Sequence, residues 1–248
     1  MKIAVVTTFN QKLYDYYAHR FMKTYNWPFD LYVYHEGWHP KQDNVFFRDI
    51  HETNPEVKEF IERNRHRNIN STDPNDHSKI IPGTNYRNDA IRFCYKVFAQ
   101  CNASKHGGKM YYVDGDSVFL KTMDDDILDL LLPDKVCVSH YYRQGMYTET
   151  GFIGFNMNHP MMEDFIGHYR NLYIDDTVYN LPHYTDCHTF DRTRKIMTQQ
   201  FTDDYYEKKL GDGGTGHIMA RCNLIHDYLD HRKGKRKSQK HSPEWLRR

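Results

Sequence analysis

Two aspartates one residue apart, Asp114 and Asp116, interrupt the apolar run of residues 110–120, MYYVDGDSVFL. Neighbouring carboxylates repel each other and resist desolvation, so a buried strand gains no stability by ending on them. Either they face water at a turn or they hold a cation between them. Ligands of α/β sheets bind beyond the carboxyl ends of strands, and i, i+2 spacing aims both side chains to one side. Two hard oxygen ligands are typical of a Mg²⁺ or Mn²⁺ site that keeps positions open for a substrate phosphate.

The pattern is not specific by itself, because Asp-x-Asp recurs at Asp124 and Asp126 in MDDDILDLL. We interpret that second pair as a helix N-terminus, where carboxylates match the helix dipole. The 16 histidines form no H-E-x-x-H motif and no Cys/His cluster, which argues against a zinc hydrolase.

The composition bounds the class of protein. With 248 residues, 39% hydrophobic and 15% aromatic, the chain is long enough for one substantial domain. No apolar stretch approaches the roughly 20 residues that cross a bilayer, and the start, MKIAVVTTFN, is typical of a first strand and not of a signal peptide. The five cysteines are odd in number and form no C-x-x-C, which favours reduced thiols in a cytoplasmic protein.

Charge is distributed unevenly along the chain. Residues 231–248, HRKGKRKSQKHSPEWLRR, hold eight Lys/Arg and one Glu, a net charge of +7. The other 26 basic and 32 acidic residues leave residues 1–230 at −6. A basic tail on an acidic body indicates an anionic partner such as phosphate, nucleic acid or a membrane surface, although a solvated terminus explains it equally well.

The elements that must position the aspartates alternate between strands and helices. Apolar and alternating runs predict strands over residues 2–8, 29–36, 109–114, 136–140 and 151–156. Helical spacing and caps predict helices over residues 10–26, 54–68, 85–101, 159–173 and 186–200. This order predicts an α/β fold with a mostly parallel central sheet flanked by helices. We expect a single domain over residues 1–230 followed by the basic tail, 231–248.

The strand, the Asp-Gly-Asp turn and the short apolar strand after it resemble the metal-binding motif of the GT-A nucleotide-sugar glycosyltransferases. Five further stretches lie in the order seen in the retaining branch that includes glycogenin and bacterial lipooligosaccharide galactosyltransferases. VVTTFNQKLY resembles the segment that holds the nucleotide base, and NYRNDAIRFCYK resembles the helix whose Arg reaches the donor sugar. TETGFIGFN resembles a small-residue strand, and YTDCHTFD resembles a segment beside the sugar. HRKGKRK resembles a closing His-x-x-Gly-x-Lys element.

The resemblance implies a GT-A, Rossmann-like domain that transfers a sugar from a nucleotide-diphosphate sugar, a UDP-sugar in first place, with Mn²⁺ or Mg²⁺ as cofactor. It implies metal ligation by Asp114, Asp116 and His231, donor binding by Thr8, Asn10, Tyr14, Asp114, Gly115 and Lys235, and catalytic or sugar-orienting roles for Asp186, Arg87 and Lys96. It favours retention of anomeric configuration over inversion.

The chain departs from the family's pattern at Thr150, which precedes Gly151, and at Cys187, where Gln is usual; the Pro-Trp after the closing Lys is also missing. Plainer interpretations of the site residues stay open. His231 is also consistent with an ordinary residue of the tail. Asp186 is also suited to cap the helix that follows it. Arg87, Arg92 and Lys96 are also consistent with a solvated helix face, which is the usual place of such residues.

The acceptor is predicted from the tail. HRKGKRKSQK has no apolar face and so does not form a membrane-binding helix, whereas its cations suit a phosphate backbone. We therefore expect a polyanion acceptor, in first place a hydroxylated base in DNA, flipped out or single-stranded so that its hydroxyl reaches the cleft. A glycan or glycolipid is the alternative acceptor.

Two other classes of function stay open. A metal-dependent nucleotidyltransferase or phosphohydrolase uses the same aspartate pair. A non-catalytic nucleic-acid-binding protein would use the tail and RNRHRN, residues 63–68.

Overall fold

A computed structural model describes residues 2–67, 73, 79, 81–202, 204–214, 216–239 and 242, with the backbone alone at 235 and 238. Its strands are β1 (Ile3–Thr8), β2 (Asp30–His35), β3 (Val45–Asp49), β4 (Lys109–Val113), β5 (Ser117–Phe119), β6 (Val138–Arg143), β7 (Glu149–Asn156), β8 (Glu207–Gly213) and β9 (Leu229–His231). The five predicted strands are confirmed as β1, β2, β4, β6 and β7, whereas β3, β8 and β9 were not predicted.

The described strands form one large sheet in the order β3-β2-β1-β4-β7-β6-β8 and a separate ribbon of β5 and β9. Neighbouring strands of the large sheet run parallel except around β7, which is antiparallel to both β4 and β6. The prediction of a mostly parallel α/β sheet is therefore confirmed. β9 spans the domain boundary that we predicted between residues 230 and 231.

The α-helices are α1 (Gln11–Leu13), α2 (His19–Thr24), α3 (Ile50–Thr53), α4 (Pro55–Asn64), α5 (Ala90–Ala103), α6 (Asp125–Leu131), α7 (Met162–Ile174) and α8 (Asp186–Gln200). A π-helical turn, Tyr14–Ala18, joins α1 to α2, so the predicted helix over 10–26 is nearly continuous. Single 3₁₀ turns cover Arg65–Arg67, Tyr86–Asn88, Ser104–His106, Thr177–Asn180, Ile218–Arg221 and Gly234–Ser238. None of the described helices is both long enough and apolar enough to span a bilayer.

Helix starts follow the local sequence. Asp124 accepts a hydrogen bond from the Ile127 N–H at 3.0 Å and caps α6, which confirms that the second Asp-x-Asp is a helix N-terminus. Asp89 caps α5 in the same way. The cap of α8 is Thr185, so Asp186 lies in the first helical turn and the capping interpretation of Asp186 is wrong.

The sheet separates two apolar cores. Successive residues of the central strands point to opposite faces, so Val5 and Val6 of β1 pack in different cores. One core holds α5, α7 and α8, and the other holds α2 and α6. Since both faces are covered, the central strands are apolar throughout, and the carboxyl ends of β1 and β4 are left to carry polar side chains.

Candidate metal and donor site

Asp114, Asp116 and His231 come together where β4 ends. Asp114 follows β4, Asp116 precedes β5, and β5 pairs antiparallel with β9 so that Ser117 lies opposite His231. One ligand atom from each of the three side chains lies within 4.8 Å of the others. His231 Nε2 is 3.0 Å from Asp116 Oδ1 and 3.6 Å from Asp114 Oδ2. The predicted trio is thus assembled by strand pairing between segments more than 100 residues apart.

Gly151 of β7 makes room for the imidazole of His231. A Cβ atom at residue 151 would lie 2.5 Å from His231 Cε1, closer than side-chain atoms approach. The Gly151 carbonyl also accepts a hydrogen bond from the Asp114 N–H at 2.9 Å. One residue of β7 therefore fixes the position of two members of the trio.

The trio fits a divalent cation. Asp116 Oδ1 and both ring nitrogens of His231 are buried without a hydrogen-bond partner, since the 3.0 Å contact between them is not aligned as a hydrogen bond. Buried polar atoms without a partner are costly and rare in proteins. Two carboxylates and one imidazole are a donor set for Mg²⁺ or Mn²⁺.

Two lysines balance the charge of the aspartates. Lys96 Nζ lies 2.7 Å from Asp114 Oδ1, and Lys237 Nζ lies 3.1 Å from Asp116 Oδ2. Burial alone raises the pKa of Asp116, but Lys237 and His231 outweigh it and hold that pKa well below its usual range. Burial raises the pKa of Asp114 in spite of Lys96. Burial lowers the pKa of His231, but Asp116 outweighs it, so the pKa is raised.

Lys96 also joins the trio to Asp186. The Lys96 side chain is buried, and its Nζ lies 2.7 Å from Asp186 Oδ2 and donates to the Thr150 carbonyl at 2.9 Å. The Thr150 hydroxyl donates to the same oxygen of Asp186. Burial opposes the charge on Asp186, but Lys96 outweighs it and lowers the pKa. The solvent-facing interpretation of Lys96 is therefore wrong.

Glu149, at the start of β7, is a site residue that the sequence reasoning missed. Its carboxylate is 3% exposed and lies 2.7 Å from Lys233 Nζ and 3.3 Å from an Arg143 nitrogen. Burial raises the pKa of Glu149, but Lys233, His231 and Arg143 outweigh it and lower the pKa to about 2. The sequence feature that could have indicated this residue is an acidic side chain at the first position of a strand that is otherwise mostly apolar.

One cleft of about 500 Å³ lies at the carboxyl ends of β1 and β4, and its lining includes the trio together with Lys96, Lys233, Lys237, Glu149, Thr150 and Asp186. Of the predicted site residues, it gathers Thr8, Asn10, Arg87, Lys96, Asp114, Gly115, Asp116, Asp186 and His231. Tyr14 does not line it; its ring packs against Phe9 and Trp38 at centroid distances of 5.7 and 5.2 Å. The side chain of Lys235 lies outside the described part of the chain. Lys233 and Lys237, on either side of it, both line the cleft.

The part of the cleft lining that follows β1 is held by hydrogen bonds. Thr8 donates through Oγ1 to the Tyr34 carbonyl at 2.8 Å. Asn10 accepts from the Leu13 N–H at 3.0 Å and donates through Nδ2 to Glu36 Oε1 at 3.2 Å. These contacts fix the loop between β1 and α1, where the charged side chains of Lys12 and Glu36 also line the cleft.

No protein-family model and no curated protein matches the sequence. Among solved structures, the chain is similar to the apo form of mouse xyloside xylosyltransferase 1, at 10% identity over 85% of this chain and 86% of that chain, with a TM-score of 0.47. It is similar to the galactosyltransferase LgtC in complex with donor and acceptor sugar analogs, at 13% identity over 82% and 72% of the two chains, with a TM-score of 0.46. It is also similar to the glycosyltransferase GlyE of Streptococcus pneumoniae TIGR4, at 14% identity over 84% and 45%, with a TM-score of 0.43. What this chain does is inferred from its own residues.

Proposed function

We propose that the chain transfers a sugar from a nucleoside diphosphate sugar, a UDP-sugar in first place, to a hydroxyl acceptor, with Mn²⁺ or Mg²⁺ held by Asp114, Asp116 and His231. The observation that carries the proposal is this trio, in which Asp116 and His231 are buried and Asp114 is half-buried. The trio opens into a cleft of donor size that also holds the buried Lys96 and the partly exposed Lys233 and Lys237. When bound, the divalent ion supplies electrostatic stabilisation of the charge that develops on the diphosphate leaving group.

Lys237 and Lys233 are the residues that we assign to the diphosphate. Lys237 Nζ is held 3.1 Å from Asp116 and lies 4.2 Å from the ring centre of Tyr17, and Lys233 Nζ is held 2.7 Å from Glu149. Ammonium groups fixed beside a metal site favour a phosphate more than mobile surface lysines do, because little side-chain entropy is left to lose. We assign the same role to Lys235, as the sequence predicted.

The donor sugar is assigned to Arg87, Lys96 and Asp186, and the nucleotide base to Thr8 and Asn10 alone, because Tyr14 does not line the cleft. Asp186 is suited to accept hydrogen bonds from sugar hydroxyls because Lys96 keeps it ionised and Thr150 fixes one of its oxygens. Gly115 brings the main chain between the two aspartates within reach of the diphosphate.

We favour retention of anomeric configuration. Inversion needs a general base whose pKa lies near the working pH. Beside the trio, the carboxylates of Glu149 and Asp186 both have a lowered pKa, since each is paired with a lysine. Such carboxylates are weak bases for an acceptor hydroxyl. Burial raises the pKa of two other carboxylates of the cleft, but Glu36 accepts a hydrogen bond from Asn10 and Asp89 caps α5. The two lysine-paired carboxylates beside the trio therefore support the outcome that the resemblance implies.

The proposed acceptor is a hydroxylated base in DNA, with a glycan or glycolipid as the alternative. The described cations of the tail do not support the DNA contact that the sequence predicted. Lys233 and Lys237 turn into the cleft, and Arg232 lies 3.4 Å from Asp230. In the second predicted patch, Arg63 pairs with Asp176 at 2.8 Å and Arg65 pairs with Glu62. Among the residues that the structure describes, a DNA acceptor therefore needs another contact surface.

The test is to incubate the full chain with a panel of nucleotide sugars and Mn²⁺ and to measure nucleoside diphosphate release. We expect slow hydrolysis of one donor without any acceptor, and no hydrolysis by Asp116→Asn. The anomeric configuration of the product then reports retention or inversion. Turnover of nucleoside triphosphates or phosphodiesters, with every sugar nucleotide left intact, would overturn the proposal in favour of a nucleotidyltransferase or phosphohydrolase.

A further inference from the structure

A second cavity, of about 1100 Å³, lies between the β6–β7 connection, α7 and α8. It is an open groove, and it adjoins the donor cleft because Tyr147 lines both. A transferase needs its acceptor hydroxyl beside the donor sugar, and this groove leads to that position.

Tyr147 is held firmly as the wall between the two cavities. Arg143 donates through Nε to the Tyr147 carbonyl at 2.9 Å, and its guanidinium carbon lies 4.6 Å from the centre of the Tyr147 ring. The His188 ring packs against the same side chain at 5.0 Å, and the guanidinium of Arg87 lies 5.8 Å from it. A fixed aromatic ring at the mouth of a cleft is suited to stack with a planar or cyclic group.

The groove carries two cations that make no ion pair with the described residues. Arg192 and Lys195 are exposed on α8, and neither makes an ion pair with any residue that the structure describes. By contrast, Asp191 accepts hydrogen bonds from Thr148 and Arg194, so its charge is balanced. Asp175 is the other acidic residue of the lining. Cations at i and i+3 of a helix share one face, about 5–6 Å apart, a spacing suited to neighbouring anionic groups.

We propose that this groove binds a single strand of nucleic acid as the acceptor, with its phosphates at Arg192 and Lys195 and a base against Tyr147. The inference rests on the proposed function, and it moves the acceptor contact from the C-terminal tail to α8. Fixed aromatic rings beside cations are the arrangement by which proteins hold single strands, because every base can stack and every linkage is charged. The hydroxyl of a base at Tyr147 then faces the donor cleft.

The test uses a fluorescein-labelled DNA strand of about 12 nucleotides that carries one 5-hydroxymethylcytosine. Binding to the full chain is followed by anisotropy at several salt concentrations, for the wild type, Arg192→Gln/Lys195→Gln and the matched control Lys23→Gln/Lys58→Gln, whose lysines are exposed on other helices. We expect the groove variant to bind about tenfold more weakly than the wild type. The slope of the logarithm of its binding constant against the logarithm of the salt concentration should be less steep by about 1.4, because each of the two lost phosphate contacts on a single strand contributes about 0.7. The control should bind like the wild type.

The inference is overturned if the strand does not bind, or if both double variants bind like the wild type. Faster release of nucleoside diphosphate in the presence of a neutral maltooligosaccharide, without any DNA binding, also overturns it and indicates a glycan acceptor. Donor hydrolysis by the wild type without acceptor is measured in parallel. If the wild type hydrolyses a donor while Arg192→Gln/Lys195→Gln binds DNA as the wild type does, this inference fails and the proposed function stands. If no donor is hydrolysed, the proposed function fails.

Discussion

Ser117 of β5 lies directly opposite His231 of β9, and this pairing carries the imidazole of His231 to within 3.0 Å of Asp116. Side chains alternate along a strand, so a shift of one residue in the ribbon would turn His231 away from the aspartates. The metal site therefore depends on a contact between the middle and the end of the chain.

Replacing His231 tests that contact. We expect His231→Gln to weaken Mn²⁺ binding by at least about tenfold, because an amide replaces a buried imidazole ligand. Mn²⁺ binding is measured by electron paramagnetic resonance titration of the free ion. The control is His19→Gln, on an exposed histidine of α2, which should bind Mn²⁺ like the wild type. Equal affinity of His231→Gln and the wild type would contradict the assignment.

The two aspartates are tested against the second Asp-x-Asp of the chain. Asp114→Asn and Asp116→Asn should abolish donor hydrolysis while circular dichroism still shows the fold of the wild type, because these carboxylates serve a cation. Asp126→Asn, in the first turn of α6, is the matched control and should keep full activity. Wild-type hydrolysis by an Asn variant in the presence of chelator would refute a metal-dependent transferase.

Gly151 offers a test that leaves every ligand in place. A Cβ at this position meets the His231 ring at 2.5 Å, so Gly151→Ala should displace the imidazole and weaken Mn²⁺ binding by about tenfold or more. Gly167 of α7 has no atom within 4 Å of such a Cβ, so Gly167→Ala should leave Mn²⁺ affinity unchanged and, as a helix glycine, stabilise the fold by up to about 1 kcal/mol. Isothermal titration of Mn²⁺ into both variants distinguishes the outcomes.

The local features of the site could be predicted from the sequence, and the long-range ones could not. Asp114 and Asp116 could be predicted because the apolar strand, the turn and the i, i+2 spacing of the two aspartates all lie within a few consecutive residues. His231 entered only through the resemblance, because its pairing with β5 has no local signal. β8 and β9 were missed for a similar reason, since neither has the alternating apolar pattern of a strand.

The choice among the tail lysines shows the same limit. The sequence reasoning named Lys235, within a set of cations over residues 233–236; the structure describes Lys233 against Glu149 and adds Lys237, which contacts Asp116. A 3₁₀ turn over Gly234–Ser238 decides which side chains face the cleft, and such a turn has no hydrophobic period by which a run of cations could be oriented. Glu149 was missed because its partners lie 6 and 84 residues away in the chain.

Removal of the metal should inactivate the protein reversibly. We expect EDTA to stop donor hydrolysis and added Mn²⁺ or Mg²⁺ to restore it, with no specific restoration by Zn²⁺, because two carboxylates and one imidazole offer no thiolate. Thermal shift provides a second measurement: Mn²⁺ should raise the melting temperature of the wild type and not that of Asp116→Asn. Full activity after exhaustive chelation would contradict the prediction.

Glu149 predicts how stability depends on pH. Its pKa is lowered to about 2, so the folded state favours the ionised carboxylate that pairs with Lys233 and Arg143. A lowered pKa stabilises the fold above the unfolded-state value, near 4.3, and that contribution is lost as the pH falls toward 2. We expect Glu149→Gln to lower the free energy of unfolding by about 2–3 kcal/mol at pH 7 and by much less at pH 2–3. Urea denaturation of both proteins between pH 2 and pH 7 measures the free energy of unfolding. The control is Glu62→Gln, whose carboxylate pairs with Arg65 on the surface, and its free energy of unfolding should stay close to that of the wild type at every pH. If Glu149→Gln lowers the free energy of unfolding equally at pH 7 and at pH 2–3, the role of the charge is refuted.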